Sequence, residues 1–111
     1  MKLIGSRTES LIRERLKIFE KIILENNVIY NLLINNFSEI THVYCLSQVI
    51  EQAEDIYTLL VNGKSIIEFE LSRVDDSIRE VKIESLDVYS KKINDKSSKL
   101  TLAIAVDLCA K

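Results

Sequence analysis

The sequence predicts an α+β fold, in which one antiparallel sheet of about four strands packs with an N-terminal helical pair and with C-terminal helices. Apolar residues recur at helical spacing at the start of the chain and alternate from Glu39 onward. The pair Asn62-Gly63 lies between two alternating segments, which is typical of a β-hairpin. With 47% apolar residues, two glycines and no proline, the 111 residues are expected to form a single domain, 1–111.

Two helices are predicted before the sheet. Ser6-Arg7-Thr8-Glu9 matches a capping box, so the first helix should begin at Arg7. Its apolar stripe consists of Ile12, Leu16, Phe19 and Ile23, widened by Leu11, Ile18 and Ile22. Asn26-Asn27 should end this helix, because Asn tolerates the left-handed conformation of a C-cap. Residues 28–34 are expected to form a short second helix that Asn35-Asn36 closes.

Alternation predicts the strands of a meander. The first strand should start at Glu39, with both of its faces at least half buried. Residues 56–61 and 64–71 flank Asn62-Gly63, a pair that readily adopts the positive φ angles of a two-residue type I′ turn. A second turn at 74–77 should lead to a fourth strand at 78–83.

The last quarter of the chain is less clearly patterned. Residues 86–93 have helical spacing, and a polar break follows at 94–98. Residues 100–110 fit either a helix or an alternating strand, and their alanine content and a Ser98 cap favour the helix. We expect all the helices to pack on one face of the sheet, which leaves the other face available for a partner.

Charge divides the chain unevenly. Residues 51–87 hold ten acidic side chains against four basic ones, whereas the whole chain has a net charge of only −2. Such a region can attract a basic partner and orient it. The candidate contact residues are Glu51, Glu54, Asp55, Glu68, Glu70, Asp75 and Asp76, with Tyr57 as an aromatic anchor. In the alternative interpretation, Tyr57 faces the core and the acidic residues only keep a strand edge from pairing.

The sequence predicts no catalytic residue, no metal ligand and no cofactor. His42 is the single histidine, and on a strand it would point away from Cys45, the nearest nucleophile. The pairs Glu68/Glu70 and Asp75/Asp76 fit the polar side of a hairpin and a turn, and two glycines cannot build a phosphate loop. Acidic residues interleave with the basic ones on the first helix, so nucleic-acid binding is not expected.

Localisation is predicted from the same sequence. No apolar stretch of the sequence is long enough for a signal peptide or for a membrane-spanning helix. We therefore expect a cytoplasmic protein that does not bind membranes. In that reducing compartment Cys45 and Cys109 should behave as unpaired, small apolar residues.

Three segments resemble the small immunity proteins of bacterial polymorphic and contact-dependent growth inhibition toxin systems. They are residues 4–13 before the long helix, Glu54-Asp55-Ile56-Tyr57 leading to the Asn62-Gly63 hairpin, and residues 66–71 after it. The resemblance implies an inhibitor that binds the C-terminal domain of its cognate toxin in the cytoplasm. Many such toxins are nucleases, whose basic substrate cleft an acidic surface can occupy.

Two other functions remain open from the sequence. A secretion chaperone is also small, acidic and α+β, but it is generally a dimer and holds an extended effector segment. A small enzyme that uses its carboxylates, with or without a metal, is the other alternative.

Overall fold

The computed structural model describes residues 7–110, which form four helices and one four-stranded antiparallel sheet. The strands lie side by side in chain order, so the predicted α+β meander is confirmed. The elements are α1 (Arg7–Glu25), α2 (Asn27–Asn36), β1 (Val43–Ile50), β2 (Glu54–Val61), β3 (Ser65–Ser72), β4 (Ile78–Ser85), α3 (Leu86–Lys92) and α4 (Lys96–Cys109).

Helices pack on both faces of the sheet, so the prediction that they share one face is wrong. On the first face, α1 and α2 cover a core that includes Ile23, Leu33 and Phe69. On the second face, α4 covers a core that includes Leu60 and Ile104. The reason lies in the two central strands, which carry consecutive apolar residues at 59–61 and at 66–67 and therefore need cover on both sides.

The two edges of the sheet differ. Helix α1 crosses the edge at β1, because its Leu16 packs in the second core and its Ile23 in the first. The Glu20 carboxylate also accepts a hydrogen bond from the Val43 N–H (3.0 Å), at the start of β1. The opposite edge, β4, is mostly exposed, and within residues 7–110 no strand pairs with its outer side.

The hairpin turn follows the prediction in conformation but is one residue longer. Asn62 and Gly63 have φ angles of 55° and 69°, and the Lys64 N–H donates to the Val61 carbonyl (3.1 Å). However, Val61 pairs with Ser65, so the loop has three residues instead of two. A Cβ atom on Gly63 would lie 3.0 Å from the Cβ of Cys109, so close packing of α4 also favours glycine here.

The Asn62 side chain explains why β1 begins at Val43, four residues later than predicted. Its amide nitrogen donates to the Glu39 carbonyl (2.6 Å), and its oxygen accepts from the Thr41 N–H (2.7 Å). Backbone groups of residues 39–41 are therefore bonded to this side chain, whereas strand residues bond to a neighbouring strand.

Two predicted helix caps are corrected. Asn26 is extended (φ −84°) and caps the start of α2, where its oxygen accepts from the Val28 and Ile29 N–H groups; it is not a left-handed C-cap of α1. The helix predicted at 100–110 is confirmed but begins at Lys96, within the predicted polar break, and its cap is Asp95, which accepts from the Ser98 N–H (2.9 Å). The first predicted cap, Ser6, lies outside the described residues.

Candidate partner-binding site

Two loops meet at the end of the sheet opposite the Asn62-Gly63 turn. They are the β1–β2 loop and the β3–β4 turn. Together with the adjoining ends of β1 and β2, they carry five of the predicted acidic contact residues and the exposed residues Ile50 and Val74. Ile50 is 73% exposed and Val74 is 82% exposed. We call this end the acidic tip; it consists of Ile50, Glu51, Glu54, Asp55, Arg73, Val74, Asp75 and Asp76.

Arg73 holds the two loops of the acidic tip together. Its backbone N–H donates to the Ala53 carbonyl (2.9 Å). Its guanidinium pairs with the Asp55 carboxylate and donates to the Glu51 carbonyl and to the Gln52 carbonyl, the last at 2.9 Å. The β1–β2 loop closes on itself through the Glu51 N–H and the Glu54 carbonyl (2.8 Å). These bonds give the tip a defined shape before any partner arrives, which lowers the entropy cost of binding.

The β3–β4 turn is held by short-range hydrogen bonds. The Ser72 hydroxyl oxygen accepts from the Val74 N–H (3.1 Å), and the Asp75 carboxylate accepts from the Ser77 N–H (3.0 Å). The neighbouring Ser77 hydroxyl and backbone N–H, the Ser72 hydroxyl and the charge of Arg79 lower the pKa of Asp75. Asp75 is therefore ionised at neutral pH, when a basic partner would be attracted to it.

The acidic tip has five carboxylates and one guanidinium, and its carboxylates differ in solvent exposure and in whether they are already paired within the protein. Glu51, Asp75 and Asp76 are exposed, while Glu54 and Asp55 are only partly exposed and Asp55 is already paired with Arg73. Asp76 has a positive φ of 58°, a conformation that Asp and Asn tolerate better than other side chains do. The exposed carboxylates stand beside exposed apolar surface, a combination that suits binding of a cationic protein.

The other predicted contact residues are not part of the acidic tip. Glu68 and Glu70 lie on the second face of the sheet, across from Lys82 and Arg79 of β4. Glu68 also accepts a long hydrogen bond from the Thr58 hydroxyl (3.5 Å). Glu68 and Glu70 are not part of the second core on this face. A partner bound at the acidic tip would contact these two carboxylates only if it also extended along the second face of the sheet.

Tyr57 is buried, so the prediction of an exposed aromatic anchor is wrong. It is 9% exposed, and its ring stacks on that of Phe69 with centroids 5.4 Å apart. Its hydroxyl accepts from the Gln48 side chain (3.3 Å). The alternation of β2 places Tyr57 on the same face as Leu59, toward the first core, as the alternative interpretation proposed.

Ile50, Val74 and Arg73 were missed as site residues. Val74 stands between Arg73 and Asp75 in a polar turn, and an apolar residue there has no core to enter. The unusual position of Val74 could therefore have been recognised from the sequence. The role of Arg73 could not have been recognised there, since the groups that its side chain bonds are 18 to 22 residues away in the chain.

A second polar cluster lies near the β2–β3 turn. His42 Nδ1 is 3.5 Å from the Glu20 carboxylate and 3.3 Å from the Tyr44 hydroxyl. Burial and the charge of Glu20 raise the pKa of Tyr44 to about 12. The same causes raise the pKa of Cys109 to about 11, and burial raises the pKa of Cys45 to about 11. Both free thiols are therefore protonated at neutral pH, which is the opposite of what a nucleophile requires.

The part of the chain that the structure describes contains no group of three or more His, Cys, Asp or Glu side chains placed to hold a metal ion. None of the helices between residues 7 and 110 combines the length and the apolar composition required to cross a bilayer. No protein-family model, curated protein or solved structure matches the chain.

Proposed function

We propose that this protein is an immunity protein, which binds a basic toxin domain in the cytoplasm and neutralises it by covering it with the acidic tip. The observation that carries the proposal is the composition of that tip: Ile50, at the end of β1, and Val74, in the β3–β4 turn, are exposed among carboxylates where Arg73 joins the two loops. Ile50 and Val74 are the two most exposed of the large apolar residues in the part of the chain that the structure describes, which favours this end of the sheet as a binding surface.

The two kinds of side chain have different tasks in this proposal. The exposed carboxylates of Glu51, Asp75 and Asp76 attract the partner and orient it, which raises the association rate constant. Ile50 and Val74 then lose their contact with water at the centre of the interface, which slows dissociation. A nuclease domain fits this surface well, because its substrate cleft is basic and binds phosphates.

The proposal is tested by capturing the partner with a tagged protein from a lysate of the native host. The capture is repeated with a tip variant, Glu51→Gln/Asp75→Asn/Asp76→Asn, which removes three charges and keeps residue 76 compatible with its positive φ. The matched control, Glu14→Gln/Glu25→Gln/Glu39→Gln, removes three exposed charges outside the tip. Native mass spectrometry gives the stoichiometry of each complex.

We expect one basic toxin domain in a 1:1 complex, captured by the wild-type protein and by the control but much less by the tip variant. The purified complex should lack the toxin's enzymatic activity, and removal of the inhibitor should restore it. Equal capture by the tip variant and the control would contradict a role of the acidic tip. Capture of an extended effector segment in place of a folded domain would instead support the secretion-chaperone alternative.

A further inference from the structure

Within the described residues, 7–110, no strand pairs with the outer edge of β4. Its side chains are mostly exposed, including Val81 (42%) and Ile83 (47%) on the first face. Helix α3 packs on the second face, where Leu86 and Tyr89 contact the second core and Lys92 pairs with Glu84 of β4. Open strand edges readily pair with another chain, and proteins commonly cover them, as α1 covers the start of β1 here.

The hydrogen bonds of β4 show which residues offer free backbone groups. The Leu86 N–H donates to the Lys64 carbonyl of the β2–β3 turn (2.9 Å). The backbone groups of Leu86 therefore point toward β3. Along an antiparallel ladder, successive residues point their backbone groups alternately toward and away from the neighbouring strand. The N–H and C=O groups of Ser85 and Ile83 therefore point outward.

We propose that two copies of this chain pair through their β4 edges in antiparallel fashion, about a two-fold axis at Ile83. Ile83 of each copy then exchanges both backbone hydrogen bonds with Ile83 of the other. The two four-stranded sheets become one continuous sheet of eight strands. The exposed Ile83 side chains meet at the axis and bury apolar surface.

The charges of Lys82 and Glu84 favour this register over the two registers that are shifted by two residues. With Ile83 at the axis, Lys82 of each copy lies opposite Glu84 of the other, so two ion pairs form on the second face. A register shift must be two residues to keep the outward backbone groups matched. A shift in one direction places Lys82 opposite Lys82 of the second copy, and a shift in the other places Glu84 opposite Glu84. Both alternatives oppose like charges.

The geometry also explains why the pairing stops at two copies. Within residues 7–110 each copy offers one unpaired β4 edge, and the two-fold dimer uses both of these edges, while α1 packs across the start of β1. Glu80, with a φ of 55°, lies within the β3–β4 register shift between Arg79 and Lys82, which limits the regular part of β4 to residues 82–85. The dimer is accordingly short and reversible, and the acidic tip lies at the end of each sheet, away from the axis.

The test is sedimentation velocity across a concentration series that reaches the high micromolar range, together with amide hydrogen exchange. We expect a reversible dimer and concentration-dependent protection of the Ile83 and Ser85 amides. Ile83→Lys, which places two ammonium groups at the axis, should raise the dimer Kd at least about tenfold. Lys82→Glu should do the same, and Lys17→Glu on α1 is the control with an equal change of charge.

A charge swap makes the test specific for the register. Lys82→Glu/Glu84→Lys restores opposite charges across the axis, so its Kd should return toward the wild-type value. Lys82 also lies opposite Glu68, and Glu84 pairs with Lys92, so urea midpoints must show that each variant is folded. A monomer at every concentration would overturn the proposal. So would a dimer that Ile83→Lys leaves intact, or protection confined to another surface.

Discussion

Arg73 and Asp55 form an ion pair that joins the β3–β4 turn to the start of β2. The Asp55 side chain is only 14% exposed in this pair, whereas that of Arg73 is 40% exposed. Asp55 was predicted as a contact residue because of its charge. In the structure its charge is balanced within the protein, so Asp55 shapes the acidic tip while Glu51, Asp75 and Asp76 remain available to a partner.

Replacing Arg73 with alanine should loosen the acidic tip. The Asp55 carboxylate and the carbonyls of Glu51 and Gln52 would lose their common donor. We expect Arg73→Ala to lower the free energy of unfolding by about 1–3 kcal/mol and to speed amide exchange in residues 51–54. Urea denaturation and hydrogen exchange measure the two effects. Lys21→Ala, an exposed change on α1, should leave both unchanged, and an equal effect of the two variants would contradict this role of Arg73.

The apolar residues of the tip should affect binding and leave stability unchanged. Ile50→Ser and Val74→Ser remove side chains that water already surrounds, so the free energy of unfolding should change by less than about 0.5 kcal/mol. Each should raise the Kd for the toxin domain about tenfold, mainly by faster dissociation. Surface plasmon resonance separates the two rate constants. Leu11→Gln, an equivalent change at a 57% exposed residue of α1, is the control and should not weaken binding.

Asn62 should stabilise the fold through its side chain as well as its backbone. Asn62→Gly keeps the positive φ but removes the bonds to Glu39 and Thr41, so we expect a loss of about 1–3 kcal/mol in urea denaturation. Asn62→Asp keeps the oxygen that accepts from Thr41 but places a second acceptor oxygen beside the Glu39 carbonyl, where the amide nitrogen donated. It should therefore also destabilise the fold, because two acceptors then face each other. If glycine proved as stable as asparagine, the side-chain bonds would contribute nothing to stability.

Stability should fall in acid partly because of the Asp95 cap. Hydrogen bonds from Ser98 hold the pKa of Asp95 below its usual value, so the folded state favours the ionised carboxylate. A depressed pKa adds stability above the unfolded-state pKa, near 4, and this stability is lost as the pH falls through the lower folded-state pKa. Circular dichroism melts between neutral pH and acid should therefore show a shallower acid decline for Asp95→Asn, which keeps the cap oxygen. Identical profiles would exclude this contribution.

Local patterns determined much of this fold. Asn62-Gly63, the helical spacing after Arg7 and the alternation of 78–83 located a hairpin, a helix and a strand, because turn conformation and the side on which a residue lies depend on near neighbours. The same reasoning identified an acidic region and favoured a helix at residues 100–110, which in the structure spans Lys96–Cys109 and is capped by Asp95 instead of Ser98.

Tertiary structure alone decided which of these residues act together. It brought Arg73 to Asp55 and to the β1–β2 loop, turned Tyr57 inward onto Phe69, and placed α4 on the face of the sheet that was expected to be free. Each outcome depends on contacts between residues far apart in the chain, whose energies no local pattern contains. The sequence by itself determined the elements and the charge of this protein, while packing decided which carboxylates face a partner and which edge of the sheet stays open.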